Sequence, residues 1–183
     1  ILGVAIAAGL FFSGAQAASL HDGLISYWPL NDGAGTTAAD IGPAGSVADT
    51  GELNMSPAWI NGMFGAGLQF TGTEHVLIRN SDDMDINSSA VTVSAWIKLD
   101  TLPANLPGAF GAVFDSQPDN YVLYLDKGNN ELRFKVTDAN GTSTSGIHPG
   151  IPGGMLDTTG WHHVMGVYDG SQGGVRIYYD GNL

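Results

Sequence analysis

The chain has 183 residues, with Lys+Arg 6 set against Asp+Glu 18 and a formal charge of −12. That length suits one domain, 43% apolar residues supply a core and exclude a disordered chain. The acidic balance repels phosphate backbones and anionic lipid heads, so neither nucleic acid nor a membrane surface is an expected partner. The absence of Cys removes disulfide scaffolds, zinc knuckles and thiol catalysis.

With 27 Gly, 8 Pro and Asp outnumbering Glu 15 to 3, the composition favours short strands joined by turns over helices. Residues Ile1 to Phe12 carry no charge and run into Ser13-Gly14-Ala15-Gln16-Ala17. An apolar run ending in Ala-x-Ala has the form of a secretory signal peptide, cleaved between Ala17 and Ala18. It is shorter than the ~20 residues a membrane-spanning helix needs. The chain opens at Ile1 without Met or a basic stretch, so the n-region of that signal is expected to be missing. The reading is therefore a signal peptide over 1–17 and one exported domain over 18–183, secreted or at the cell surface, with no membrane insertion of the mature part.

Along the mature chain, period-2 alternation recurs between turn clusters and no stretch keeps a helical period. Leu24 to Leu30 reads as a strand closed by Asn31-Asp32-Gly33. Leu68 to Phe70 and His75 to Arg79 read as a second pair around Thr71-Gly72-Thr73-Glu74. Val91, Val93, Ala95, Ile97 and Leu99 alternate with Thr92, Ser94, Trp96 and Lys98, the pattern of a half-buried strand. Ala112 to Asp115, Tyr121 to Asp126 and Glu131 to Asp138 follow as a meander, and Trp161 to Tyr168 with Val175 to Asp180 form a closing hairpin. Segments 34–54 and 142–157 read as long loops. About nine short strands at turn-bounded intervals predict an all-β, two-sheet antiparallel sandwich or jelly roll.

Catalysis is tested by what is missing. Retaining glycoside hydrolysis needs two carboxylates about 5–5.5 Å apart, a separation that alternate residues on one strand face can set. Glu52, Glu74 and Glu131 have no carboxylate two or four residues on, and no Gly-x-Ser-x-Gly or HExxH motif occurs. Neighbouring residues of a strand point to opposite faces, so His162 and His163 are not expected to share an ion, and structural duty is the expectation, with Trp161 plugging the core edge and one His hydrogen-bonded in a sheet.

Sugar recognition asks for flat aromatic faces beside hydrogen-bonding groups. Opposite the inward-facing residues lie Trp96, Arg133 and Lys135, with Tyr124 or its neighbours and Arg176 or Tyr178 as companions. A carbohydrate-binding face of Trp96, Tyr124, Arg133, Lys135 and Tyr178 is one reading. The other is that Trp96 packs and the basic residues are solvated.

The run Tyr27-Trp28-Pro29-Leu30-Asn31-Asp32-Gly33 with Asp40 to Gly42, and then Phe64-Gly65-Ala66-Gly67-Leu68-Gln69-Phe70, is similar to the opening motifs of the laminin-G-like, concanavalin A-like domains of secreted bacterial proteins. Val91 to Ile97, Gly160-Trp161-His162-His163-Val164, Val167 to Gly170 and Tyr178 to Gly181 resemble the later motifs, in the same order. The resemblance implies a jelly roll and a non-catalytic carbohydrate-binding or adhesion module within a larger exported protein. Its partner would be a glycan or another extracellular surface ligand. Two alternatives stand beside it: an accessory domain of a glycoside hydrolase or sialidase whose catalytic part lies elsewhere, and a structural protein-interaction module.

In such domains a last strand after the Tyr-Asp-Gly hairpin pairs with the first. The resemblance therefore implies closing strands beyond Leu183 and an unpaired edge at Leu24 to Leu30. It also implies a structural Ca²⁺ at a sandwich rim, for which Asp32 and Asp40 are the candidate ligands, with the acidic run Ser81 to Asp85 as a second knot. Hard oxygen ligands suit that ion. The competing role for these carboxylates is turn capping.

Overall fold

The computed structural model describes residues 6–8, 23–42, 49–79, 84, 89–106, 110–116, 120–128, 130–138, 140–147, 156–172 and 174–183. Its strands are β1 (Ile6–Ala8), β2 (Tyr27–Trp28), β3 (Thr37–Ala38), β4 (Gly51–Asn54), β5 (Ala58–Asn61), β6 (Ala66–Gln69) and β7 (His75–Ile78). They continue as β8 (Ala90–Lys98), β9 (Phe110–Ser116), β10 (Tyr121–Asp126), β11 (Glu131–Thr137), β12 (Ser143–Ile147), β13 (Trp161–Asp169) and β14 (Gly174–Tyr179).

A five-stranded sheet, β14-β13-β8-β1-β2, faces a four-stranded sheet, β12-β11-β10-β9. Two smaller sheets, β3-β4-β7 and β5-β6, complete the assembly. Every pairing is antiparallel. The all-β, two-sheet sandwich expected from the alternation is the observed architecture.

The alternation of β8 does what its pattern predicts. Val91, Val93, Ala95 and Ile97 are buried to 3% exposure or less, while Ser94, Trp96 and Lys98 are half-buried on the other side. Across the sandwich, β10 and β11 contribute Tyr121, Leu123, Leu125, Leu132 and Phe134 to the same core cluster. At ~1.5–3 kcal/mol for each fully buried large apolar side chain, this shared core is the main force holding the layers together.

Three expectations are corrected. Leu68 to Phe70 and His75 to Arg79 do not pair with each other: β6 pairs with β5, and β7 with β4. The cause is the corner between them, where Glu74 accepts hydrogen bonds from Thr71 N (3.0 Å), Thr71 Oγ1 (2.7 Å) and Gly72 N (2.7 Å), turning the chain from one sheet to another. Segments read as loops hold β3, β4 and β12, which are short and rich in Gly, Ser and Thr, so no alternation betrays them. The strand read over Leu24 to Leu30 narrows to Tyr27–Trp28.

β2 lies at the edge of its sheet, as expected, but that edge is covered. Tyr27 N donates to Asp40 Oδ1 (2.8 Å), and Tyr27 O accepts from Ile41 N (2.9 Å). These bonds use the backbone groups a second sheet edge would otherwise recruit. On its inner side β2 pairs with β1, whose three residues come from the apolar N-terminal segment. The remainder of the proposed signal segment lies outside the described residues. Among the described residues, no helix is long and apolar enough to cross a membrane.

Candidate functional site

The outer face of the five-stranded sheet is set by β8, β13 and β14. Register places Trp96 opposite His163, Ser94 opposite Met165, and Met165 opposite Tyr178, so these side chains share the face turned away from the core. Ser94 Oγ and His163 Nε2 lie 2.8 Å apart, and the His163 ring tilts against Trp96 with centroids 5.3 Å apart. Burial lowers the His163 pKa, with Asp180 opposing the shift, which keeps the ring neutral at neutral pH.

The β5–β6 hairpin reaches over this face. Asn31 Oδ1 accepts from Ala66 N (3.1 Å), and Gly65 at φ 90 gives the tip its left-handed turn. The tip carries Phe64, which meets Trp96 edge-on at 5.4 Å and 85° yet remains 65% exposed. Behind it, Trp161 comes within 3.7 Å of where a Cβ on Gly67 would stand. Trp161 is thus half-buried beneath the hairpin on the outer side, not plugged into the edge of the core.

The five residues expected to form one carbohydrate face are divided between two. Trp96 and Tyr178 share the face just described. Tyr124, Arg133 and Lys135 sit together on the outer face of the four-stranded sheet, Tyr124 paired with Arg133 and Lys135 two residues on. The two outer faces look away from each other, because β8 and β11 belong to opposite layers.

On the second face Arg133 is already engaged. Its Nε lies 3.0 Å from Asp126 Oδ2 and its Nη2 2.8 Å from Glu131 Oε2. A guanidinium held between two carboxylates offers little to a ligand. Phe64, His163 and Ser94 are the site residues that reading the sequence missed. An aromatic residue inside a Gly-rich turn, Phe64-Gly65-Ala66-Gly67, was the available signal.

His162 and His163 do point apart, as strand geometry requires. His162 lies between two carboxylates, Nδ1 2.7 Å from Asp180 Oδ2 and Nε2 3.0 Å from Asp157 Oδ1.

The proposed Ca²⁺ ligands do not fit a cation site. Asp40 Oδ1 accepts from Tyr27 N and Gly42 N, both at 2.8 Å, and Asp40 Oδ2 accepts from Asp49 N at 3.2 Å. Asp32 Oδ2 accepts from Ala39 N at 3.4 Å. These oxygens face amide hydrogens, the turn-capping role. Among the described residues no group of three or more His, Asp or Glu side chains is arranged to hold a metal. The Ser81 to Asp85 knot, apart from Met84, lies outside the described residues, as do His21 and His148. Each Glu is also spent: Glu52 on Arg79 (2.9 Å), Glu74 on its turn and Glu131 on Arg133.

Residues 70–183 match a laminin G family model described as the concanavalin A-like lectin/glucanases superfamily. The match takes in β7 to β14, hence both main layers of the sandwich, while the Tyr27 to Gly33 and Phe64 to Gly67 motifs lie before it. No curated protein and no solved structure matches the chain. With the antiparallel sandwich on one side and a match over more than half its length on the other, this chain belongs to the concanavalin A-like lectin/glucanases superfamily.

Proposed function

We propose that this protein is a non-catalytic carbohydrate-binding or adhesion module of an exported polypeptide, and that it binds through the outer face of its five-stranded sheet. The observation that carries the reading is Phe64: a phenyl ring left 65% exposed while leaning on Trp96, with the His163–Ser94 pair on the same face. A pyranose presents an apolar C–H side edged by hydroxyls, and an aromatic ledge next to neutral donors and acceptors complements it. The charge of −12 disfavours uronate, sialylated or sulfated chains, so the ligand is a neutral glycan.

The absence of chemistry rests on the carboxylates. The three Glu side chains sit on separate elements in an ion pair or a turn. Asp126 and Glu131, which do converge, close on Arg133. Calcium has no part in this reading.

Affinity electrophoresis through gels containing neutral polysaccharides tests the binding, and a reducing-end assay on the same polysaccharides tests the absence of hydrolysis. Retardation by at least one neutral polymer without release of reducing ends is the expected result. Hydrolysis by this chain alone overturns the non-catalytic reading, and free migration through every gel overturns the binding one. The exposed Met63 beside Phe64 makes a protein ligand the second reading, favoured by a stable complex that forms without sugar.

A further inference from the structure

His162 stands where three segments meet: the approach to β13, β13 itself and the turn after β14. Carboxylates lie against both of its ring nitrogens, Asp180 on Nδ1 and Asp157 on Nε2, and a carboxylate only accepts. Both bonds form together only when both nitrogens carry hydrogen, that is, as imidazolium. The ring stacks on Tyr179 with centroids 4.7 Å apart and planes 21° from parallel, and its side chain is 15% exposed.

Asp180 does more than receive this proton. Its Oδ1 accepts from His163 N (2.8 Å), and its own N donates to His163 O (2.8 Å), so its side chain and backbone continue the β13–β14 ladder by one rung. Asp157 in turn holds Thr159 through N and Oγ1, each at 2.7 Å.

We propose that Asp157, His162 and Asp180 form a proton-operated latch, which ties segment 156–160 to the turn after β14 while His162 is charged and releases it when His162 loses a proton. Losing one hydrogen leaves one ring nitrogen lone pair against a carboxylate, and that contact becomes repulsive. Asp157 is the partner that gives way, because Asp180 is fixed by two further bonds to β13. The freed segment leads directly into Trp161, so the latch sets the order of one border of the outer face.

Among the described residues, Asp157 and Asp180 are the charged groups acting on the ring. Tyr179 lies beneath it with its hydroxyl pKa pushed up by burial and by Asp157 and Asp180. Ile97 is opposite on β8, while Lys98 and His163 project to the other side of the sheet. Burial pulls the His162 pKa down, but the bonds to Asp180 and Asp157 outweigh it and the net shift is upward. A raised folded-state pKa means that this stabilisation is complete below the ordinary His value of about 6.5 and is lost as pH rises through the folded-state value.

The experiment is an NMR titration of the His ring resonances in the full chain, with amide exchange across residues 156–160 followed on the same samples. The latch predicts a His162 midpoint above that of an unstructured His. In Asp157→Asn the midpoint falls by at least ~0.5 pH. Once corrected for intrinsic rates, exchange across 156–160 accelerates several-fold through the wild-type midpoint and is already fast in the variant. A midpoint at or below the ordinary value, an unmoved midpoint in Asp157→Asn, or pH-independent exchange across 156–160 overturns the proposal. None of these readouts involves a ligand, so they stand or fall separately from glycan binding.

Discussion

Phe134 on β11 packs against Gly166 on β13, its ring filling the space where a Cβ on that glycine would stand, with ring carbons at 2.7 and 2.8 Å from that position. The contact joins the two layers at their centre, since Phe134 is fully buried and Gly166 lies opposite Val93 in the neighbouring strand. A glycine inside a strand is otherwise unfavourable, so its presence here is explained by the approach of the facing sheet. Gly166→Ala is therefore expected to destabilise the fold by about 3 kcal/mol, through overpacking. Gly160→Ala, with nothing within 4 Å of the new methyl, is expected to stay within about 0.5 kcal/mol. Urea denaturation of the two variants separates these outcomes.

Asp40 is the hub of the first loop. Asp40→Ala leaves the amides of Tyr27, Gly42 and Asp49 without their carboxylate acceptor, at an expected cost of about 2–4 kcal/mol. Asp32→Ala, losing one long bond, is expected to cost less than about 1 kcal/mol. If these residues held calcium, chelation would reproduce the loss. Thermal melts in EDTA and in millimolar CaCl₂ are expected to coincide.

Glu74 closes the corner between β6 and β7, and the Thr71 hydroxyl followed by the backbone amides holds its carboxyl pKa down from 4.5 to about 2. A depressed carboxylate pKa contributes stability that is present above the unfolded-state value and lost as pH falls through the folded one. Stability is expected to decline between pH 4.5 and 2, and Glu74→Gln is expected to flatten part of that decline. A ¹³C titration locating the Glu74 midpoint near 4.5 would show that the corner is not closed in this way.

How strongly the local sequence specifies a strand differs from element to element. In β8, apolar residues at every second position specify both the strand and its buried side. In β10 and β11 the Lys127 to Asn130 turn specifies the pairing as well. β3 and β12 carry too few apolar residues to show a period, β5 is only four residues long and its apolar residues run consecutively, and β4 pairs with β7 across twenty intervening residues that no local signal spans.

The candidate site was legible only within each strand. Parity put Trp96 outward, and it put Tyr124, Arg133 and Lys135 outward together. Parity is silent on which layer a strand joins, and that alone divided the five residues between two faces. Phe64 depends on where a glycine-rich hairpin folds back, which is a long-range matter set by Asn31 and Ala66.

If the face carrying Phe64 and Trp96 binds neutral glycan and the face carrying Tyr124 does not, a titration separates the two. The intact chain is titrated with the neutral polysaccharide that retards it most, beside Phe64→Ala and Tyr124→Ala, with circular dichroism confirming that both variants fold. Phe64→Ala is expected to bind about tenfold more weakly, ~1.4 kcal/mol, and Tyr124→Ala to change by less than twofold. Full affinity in Phe64→Ala together with lost affinity in Tyr124→Ala would put the binding on the opposite face.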